Sequence, residues 1–204
     1  MSAARPLSRE RVLQAAFAIA DTRGLEAVTM RSVAARLNVE AMSLYHHVPS
    51  KKAMLNGLVD LLVQVAALPS GQVTAEEWIR GAADGLRSLA QQHPRLVGLL
   101  STRAVPLDDP ESAKPFEAGL AAFTRAGYDV ASGFAALQSA ALALLAMTQL
   151  EAAAVLQQDT VEESELGALP LEEFPLLHQV LDSEVGLDEF WRTLVDALVR
   201  GLTP

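Results

Sequence analysis

Residues 28–47 read Val28-Thr29-Met30-Arg31-Ser32-Val33-Ala34-Ala35-Arg36-Leu37-Asn38-Val39-Glu40-Ala41-Met42-Ser43-Leu44-Tyr45-His46-His47. The stretch has the pattern of two short helices joined by a tight turn. Thr29 is a suitable N-cap for the first helix, whose inner residues are Val33, Ala34 and Leu37. Asn38 tolerates the left-handed conformation such a turn needs. The second helix runs from about Glu40 to His47, with Val39 and Leu44 turned inward. Ala41, Met42, Ser43, Tyr45 and His46 are then left facing outward. An outward tyrosine among small residues suits a helix lying in a major groove, where small side chains permit close approach and Tyr45 reaches a phosphate or base. The alternative is an ordinary helical hairpin carrying an exposed aromatic.

The flanks extend the unit. Upstream, Ser8 is an N-cap, Leu7 and Val12 are spaced as a hydrophobic staple, and Leu13, Ala16, Phe17 and Ala20 form an inner stripe that ends at Gly24. Downstream, Pro49-Ser50 breaks the chain and caps a helix expected over 51–68. Lys51 and Lys52 stand in its first turn, where cations oppose the helix dipole but suit a bound phosphate. Residues 1–55 carry eight Lys and Arg against four Asp and Glu, a net +4, whereas residues 56–204 carry −13 of the chain's total of −9. A basic head on an acidic body points the head, and not the body, at a polyanion.

The remaining chain reads as an all-α body. Helices are expected at 74–92, 94–103, 109–126 and 130–156, punctuated by Pro94, Pro106, Pro110 and Gly127. The polar stretch with Asp159, Glu162, Glu163, Glu165, Gly167 and Pro170 reads as a mobile loop. In the last helix Leu187, Phe190, Trp191, Leu194, Val195, Leu198, Val199 and Leu202 share one stripe. Half of the 204 residues are hydrophobic, and cysteine is absent, which removes disulfides, thiolate metal sites and thiol nucleophiles. The N-terminus lacks an apolar leader segment, so a cytoplasmic location is expected. The uncharged run 130–150 is long enough to span a membrane, but its Gln138, Ser139, Thr148, Gln149 and many alanines read better as a buried helix of a soluble protein. Four histidines, two of them in the head, do not make a metal cluster, and His93 and His178 read as structural or surface residues. The acids Asp108, Asp109 and Glu111 read as helix-start residues, and Trp78 and Trp191 as core, with a ligand-stacking role also open. No catalytic acid pair, Ser/His/Asp set or glycine-rich phosphate loop has usable spacing, so no enzyme activity, cofactor or metal is expected.

From Leu7 to about Leu68 the sequence resembles the DNA-binding head of the TetR family of transcriptional regulators. The resemblance rests on Val12-Leu13-Gln14-Ala15-Ala16, Gly24-Leu25-Glu26-Ala27-Val28-Thr29-Met30-Arg31, Val33-Ala34, Leu37-Asn38-Val39, and above all Ser43-Leu44-Tyr45-His46-His47-Val48 followed by Lys51. The body is similar to the tetracycline-repressor branch at Glu77-Trp78, at Ser101-Thr102-Arg103 and in the long loop before the last helix. The resemblance implies an all-helical homodimer, with a helix-turn-helix head at 1–55 and an effector-binding and dimerisation body at 56–204. It further implies repression at a palindromic double-stranded operator until a small molecule enters the body. By position, Arg31 reaches base edges, Ala41, Met42, Ser43 and Tyr45, with His46 beside them, occupy the recognition helix, and Thr29 and Lys51 contact phosphate. Ala41 and Met42 replace residues that are polar or proline in the tetracycline repressors, so the operator is expected to differ, with more thymine-methyl contact. In that branch a histidine and a threonine one turn apart, with an asparagine and a second histidine, hold a magnesium–drug chelate. Here Leu99 takes the first histidine's position, Thr102 is kept, Gly85 replaces the asparagine, and the second histidine is missing.

These departures predict a metal-independent, largely apolar effector. The expected lining is Leu58, Leu62, Trp78, Gly85, Leu86, Leu89, Leu99, Phe116, Leu120, Phe123, Phe134, Leu137 and Gln138, with Thr102, Arg103 and Gln149 as further polar candidates; for Arg103 a simpler role at a helix C-terminus is open. By the same resemblance the helices 130–156 and 187–202 pair across a twofold axis, with Ala141, Leu194 and Leu198 near it. A rival from another class is a helical ligand-binding protein or small enzyme whose head serves a protein partner. Only DNA binding carries the steep salt dependence of counterion release.

Overall fold

The computed structural model describes residues 6–101, 110–157, 173–181, 183 and 185–203. Among them every regular element is helical: α1 (Arg9–Arg23), a 3₁₀ turn (Leu25–Ala27), α2 (Met30–Leu37), α3 (Ala41–Tyr45), α4 (Lys51–Val65), α5 (Ala75–Gln92), α6 (Pro94–Ser101), α7 (Pro110–Arg125), α8 (Val130–Gln157), α9 (Pro175–Leu181) and α10 (Leu187–Leu202). The caps explain most boundaries. The Ser8 hydroxyl accepts from the Arg11 N–H, and Gly24 closes α1 at φ 81°. Thr29 and Ser32 form a reciprocal capping box at the start of α2, and Asn38 ends that helix in the left-handed region at φ 55°. Ser50 caps α4, and Thr74 with Glu77 forms a second capping box on α5. The Thr74 backbone N–H holds the Glu77 carboxyl below its ordinary range, and the Ser132 hydroxyl does the same for Asp129 before α8. Both caps therefore stabilise most above the ordinary carboxylate range and weaken as the pH falls through the lowered values.

The head packs α1, α2, α3 and the start of α4 around Val12, Ala16, Ile19, Val28, Val33, Leu44, Val48 and Met54, all buried. Its core is continuous with that of the body, where α5, α6 and α7 pack against the long α8, and α10 packs on α5 and α8. Gly57 lets α1 lie close to α4, since a Cβ there would stand 2.6 Å from Leu13 Cδ2.

Three differences from the sequence expectation have physical causes. Helix α4 stops at Val65 rather than near 68, because Ala67 adopts φ 48° and turns the chain. Helix α9 was not expected, and His178 lies within it. In α10 the single apolar stripe divides: Trp191, Val195 and Val199 are buried, while Phe190 is exposed and Leu194 and Leu198 are half-buried. The acidic stretch 159–170 and Pro106, Asp108 and Asp109 lie outside the described residues.

Candidate nucleic-acid interface and body cavity

The two short helices are set by one buried anchor each and one turn. Val33 fixes α2, Leu44 fixes α3, and the Val39 N–H donates to the Ala34 carbonyl at 3.1 Å across the left-handed Asn38. With Leu44 fully buried, the opposite side of α3 must face solvent. Met42 is 74% exposed and Tyr45 44% exposed. His46 is exposed, and Ala41 and Ser43 are half-buried beside it. Arg31 is exposed in the first turn of α2. Thr29 is exposed too, with its hydroxyl oxygen accepting from the Ser32 N–H at 3.0 Å. Lys51 and Lys52 are exposed in the first turn of α4, behind the Ser50 cap. Arginine, lysines, tyrosine and a soft methionine thus share the start of α2, the outer side of α3 and the start of α4. The set suits phosphate contact and close approach to base edges, and it holds no hydrolytic group pair.

The body holds a cavity of about 510 Å³, open on one side, between α4, α5, α6, α7 and α8. Its wall includes Leu62, Trp78, Leu86, Phe116 and Gln138 from the expected lining. It also includes Val63, Ala66, Leu68, Ala82, Leu100 and Ser101, and from α8 Ala141, Leu142, Leu144, Leu145, Ala146 and Gln149. Trp78 is anchored by its indole N–H, which donates to the Pro115 carbonyl at 2.8 Å. Apart from this ring, the wall is mostly aliphatic, and its polar side chains are Ser101, Gln138 and Gln149.

Several expected lining residues sit elsewhere. Leu58, Leu89, Leu99, Phe123 and Leu137 are buried in the helix-to-helix core, off the cavity wall. Leu120 is half-buried against Gly133, and Phe134 is 53% exposed on the outer surface. Gly85 is corrected most sharply: it seats the backbone of Ala66, whose carbonyl oxygen would lie 1.9 Å from any Cβ at that position. Thr102 and Arg103 lie outside the described residues. Ala141, expected near a dimer axis, stands in the cavity wall.

The sequence reading missed a buried carboxylate. Glu151 is only 5% exposed and joins three helices. Its Oε1 accepts from Gln91 Nε2 at 2.8 Å and Arg87 Nε at 3.4 Å, and its Oε2 from the Trp191 indole N–H at 2.9 Å. Arg87 also donates to Asp188, which keeps the Asp188 carboxyl below its usual range. The signal was present in the sequence, because Glu151 is the one charged residue within the apolar helix 130–157.

Residues 12–58, the span just described as the head, match the family "Bacterial regulatory proteins, tetR family". The tetracycline repressor protein class D of Escherichia coli is 28% identical over 205 residues, covering 96% of this chain and 88% of that one. Over its head the chain matches the TetR family of transcriptional regulators, and over nearly its whole length it is similar to a tetracycline repressor. Solved relatives extend the likeness along the regulator's whole length. SCO7222, a TetR from Streptomyces coelicolor, superposes with a TM-score of 0.80 at 25% identity, covering 97% of this chain and 98% of that one. ActR of Streptomyces coelicolor, solved in complex with actinorhodin, shares the fold with a TM-score of 0.78 at 21% identity over 97% of each chain. The head is therefore a DNA-binding helix-turn-helix of the TetR kind, and the body that follows it is all-helical.

Proposed function

We propose that the regulator is a soluble, cytoplasmic homodimeric repressor, bound to a palindromic operator and released when a small, largely apolar molecule occupies the body cavity. Residues 1–55 act as the DNA-binding head and 56–204 as the effector-binding and dimerisation body. The observation that carries the reading is the outer side of α3, where Met42 and Tyr45 are exposed while Leu44 between them is fully buried. Two such helices about 34–36 Å apart read successive major grooves, and the body sets that distance. Arg31 reads a base edge, Ala41, Met42, Ser43 and Tyr45 with His46 form the recognition surface, and Thr29 and Lys51 meet phosphate. Met42 favours thymine methyl groups over hydrogen-bonded bases.

Duplexes selected from random DNA test the head. Lys51→Ala is expected to weaken all sequences about equally and to lower the salt slope by about one. Arg31→Ala is expected to cost about 1–3 kcal/mol and to relax preference at one base pair. Tyr45→Ala weakens binding without unfolding, because the side chain is exposed. Parent-like binding by all three variants would overturn these roles.

The wall polar groups Ser101, Gln138 and Gln149 are neutral, whereas a hard cation prefers a set of oxygen ligands with carboxylates among them. The effector is therefore expected to bind without metal. Quenching or shift of Trp78 fluorescence by an apolar dye or effector should be the same with and without a chelator, and magnesium–tetracycline should not release DNA. Binding that disappears on chelation would refute the metal-free reading.

A further inference from the structure

Helix α10 carries more apolar surface than one contact uses. Trp191, Val195 and Val199 form one stripe, and Phe190, Leu194 and Leu198 form a second, one residue or about 100° round the helix. The two stripes are alike in size and apolar character, so burial alone does not choose between them. Yet the first is buried against α5 and α8, while Phe190 is exposed and Leu194 and Leu198 are half-buried.

The stripes differ in one polar atom. The Trp191 indole N–H donates to Glu151 Oε2 at 2.9 Å, and Phe190 has no donor to offer. Glu151 is buried on α8, and its other oxygen is already taken by Gln91 Nε2 and Arg87 Nε of α5. Turning α10 by one residue would withdraw the indole and leave Oε2 buried without a partner. A buried carboxylate oxygen left unpaired costs more than the exchange of one aliphatic stripe for another returns. The neighbouring contacts share this side of α10. The Arg87 guanidinium stands 5.9 Å from the centroid of the Trp191 ring, and Arg87 also donates to Asp188. Arg80 Nη1 lies 3.1 Å from Asp196 Oδ1, but both of those side chains are well exposed, so that pair contributes little.

We infer that Glu151 is a positioning residue: through the Trp191 indole it selects which stripe of α10 turns inward, and so which stripe is left for a second copy of the chain. The choice of stripe is a property of a single chain. Its bearing on assembly rests on the homodimer reading above.

The chain has no cysteine, so Glu117→Cys on α7 and Arg200→Cys on α10, both exposed, accept a unique pair of spin labels. A turn of about 100° moves a label at the helix surface by up to about 8 Å. All chains in the distance measurement also carry Leu150→Glu on the exposed side of α8, so that no second copy holds α10 in place. The otherwise parental chain should give one distance. Exchanging the two aromatics, Phe190→Trp with Trp191→Phe, should turn α10 and make a second distance the larger population. The same exchange beside Glu151→Leu should leave both distances populated. Glu151→Leu with Trp191→Phe makes the contact apolar and should also give both distances. Its thermal midpoint should stay within about 4 °C of the parent, because Arg87 and Gln91 can then turn to solvent. Without Leu150→Glu, this apolar variant should dimerise about fourfold more weakly, since each partner presents the right stripe half of the time. The parental distance alone in the exchanged or the apolar variant would overturn the inference, and so would an apolar variant that fails to fold. Chains with Leu150→Glu that still pair would instead fell the homodimer surface, and the distances would still decide the stripe.

Discussion

Gly85→Val is expected to leave little folded protein. The α5 helix carries Gly81 and Gly85 one turn apart, and together they form a groove for the turn that follows α4. A Cβ at 85 would lie 1.9 Å from the Ala66 carbonyl oxygen and 3.1 Å from its carbon; one at 81 would lie 2.6 Å from Pro69 Cγ. At position 85 the obstacle is backbone, and it cannot retreat easily: Ala66 is buried, and Ala67 already holds a left-handed φ of 48° to turn the chain. Overpacking a core costs about 1–3 kcal/mol when side chains can yield, and here the yielding part must be a helix end, so the loss should exceed about 3 kcal/mol. Gly98 in α6 supplies the control, since nothing lies within 4 Å of a Cβ there. Gly98→Ala should be neutral or stabilise by about 0.4–1 kcal/mol. Urea unfolding of the two variants measures both effects. Because α4 leads into the head, Gly85→Val should lose DNA binding along with the fold. A Gly85→Val protein that folds, binds DNA and fails only to respond to effector would put Gly85 back among the ligand contacts.

That reversal shows what the sequence can and cannot reveal. The head was legible because its boundaries are chemical: Ser8, Thr29 and Ser50 cap with hydroxyls, and Gly24 and Asn38 take positive φ. These signals are local, and so is the rule that a buried Leu44 turns its neighbours outward. The cavity is not local. A period of 3.6 marks the inner side of a helix but does not say whether the facing surface is another side chain or empty space. Leu58, Leu89, Phe123 and Leu137 satisfy the same period as Leu62, Leu86 and Phe116, yet the first group fills gaps between helices and the second faces the cavity. Likewise the resemblance placed Gly85 by alignment, whereas its backbone approach to Ala66 exists only in the packed structure. Glu151 falls inside the expected helix 130–156, but its partners Arg87, Gln91 and Trp191 come from helices distant in sequence, so the sequence does not show that it is buried.

The second large effect concerns assembly. Helix α8 is about 42 Å long, carries Glu151 as its one charged residue, and is long and apolar enough to cross a membrane by length and composition. One side is satisfied: Gly133, Ala136, Leu137, Ala140, Leu144, Thr148 and Glu151 are buried in the body. The other side is not, with Leu142 66% exposed, Leu150 47% exposed and Ala135, Ala146 and Ser139 exposed around them. The cavity wall takes Leu142 and Ala146 from the edge of this surface, while at about 100° per residue Leu150 lies opposite Ala141 and is not in the wall. Beside this surface, α10 leaves Phe190, Ala197 and Gly201 exposed and Leu194 half-buried. A second copy offering the same two helices would cover both, and the small residues permit close approach of the helix axes. Leu150→Glu places a solvated carboxylate on a lone chain at little cost, but it buries an unpaired charge twice in a twofold dimer. At about 3–5 kcal/mol for each such charge, dimerisation should weaken by at least about 10⁴-fold. Leu194→Glu should act in the same direction. Sedimentation equilibrium should find a dimeric parent and folded monomers of Leu150→Glu, with operator affinity lost because two heads are no longer held at one spacing. A Leu150→Glu protein that remains a dimer of parental affinity would show that this side of α8 is not the subunit interface.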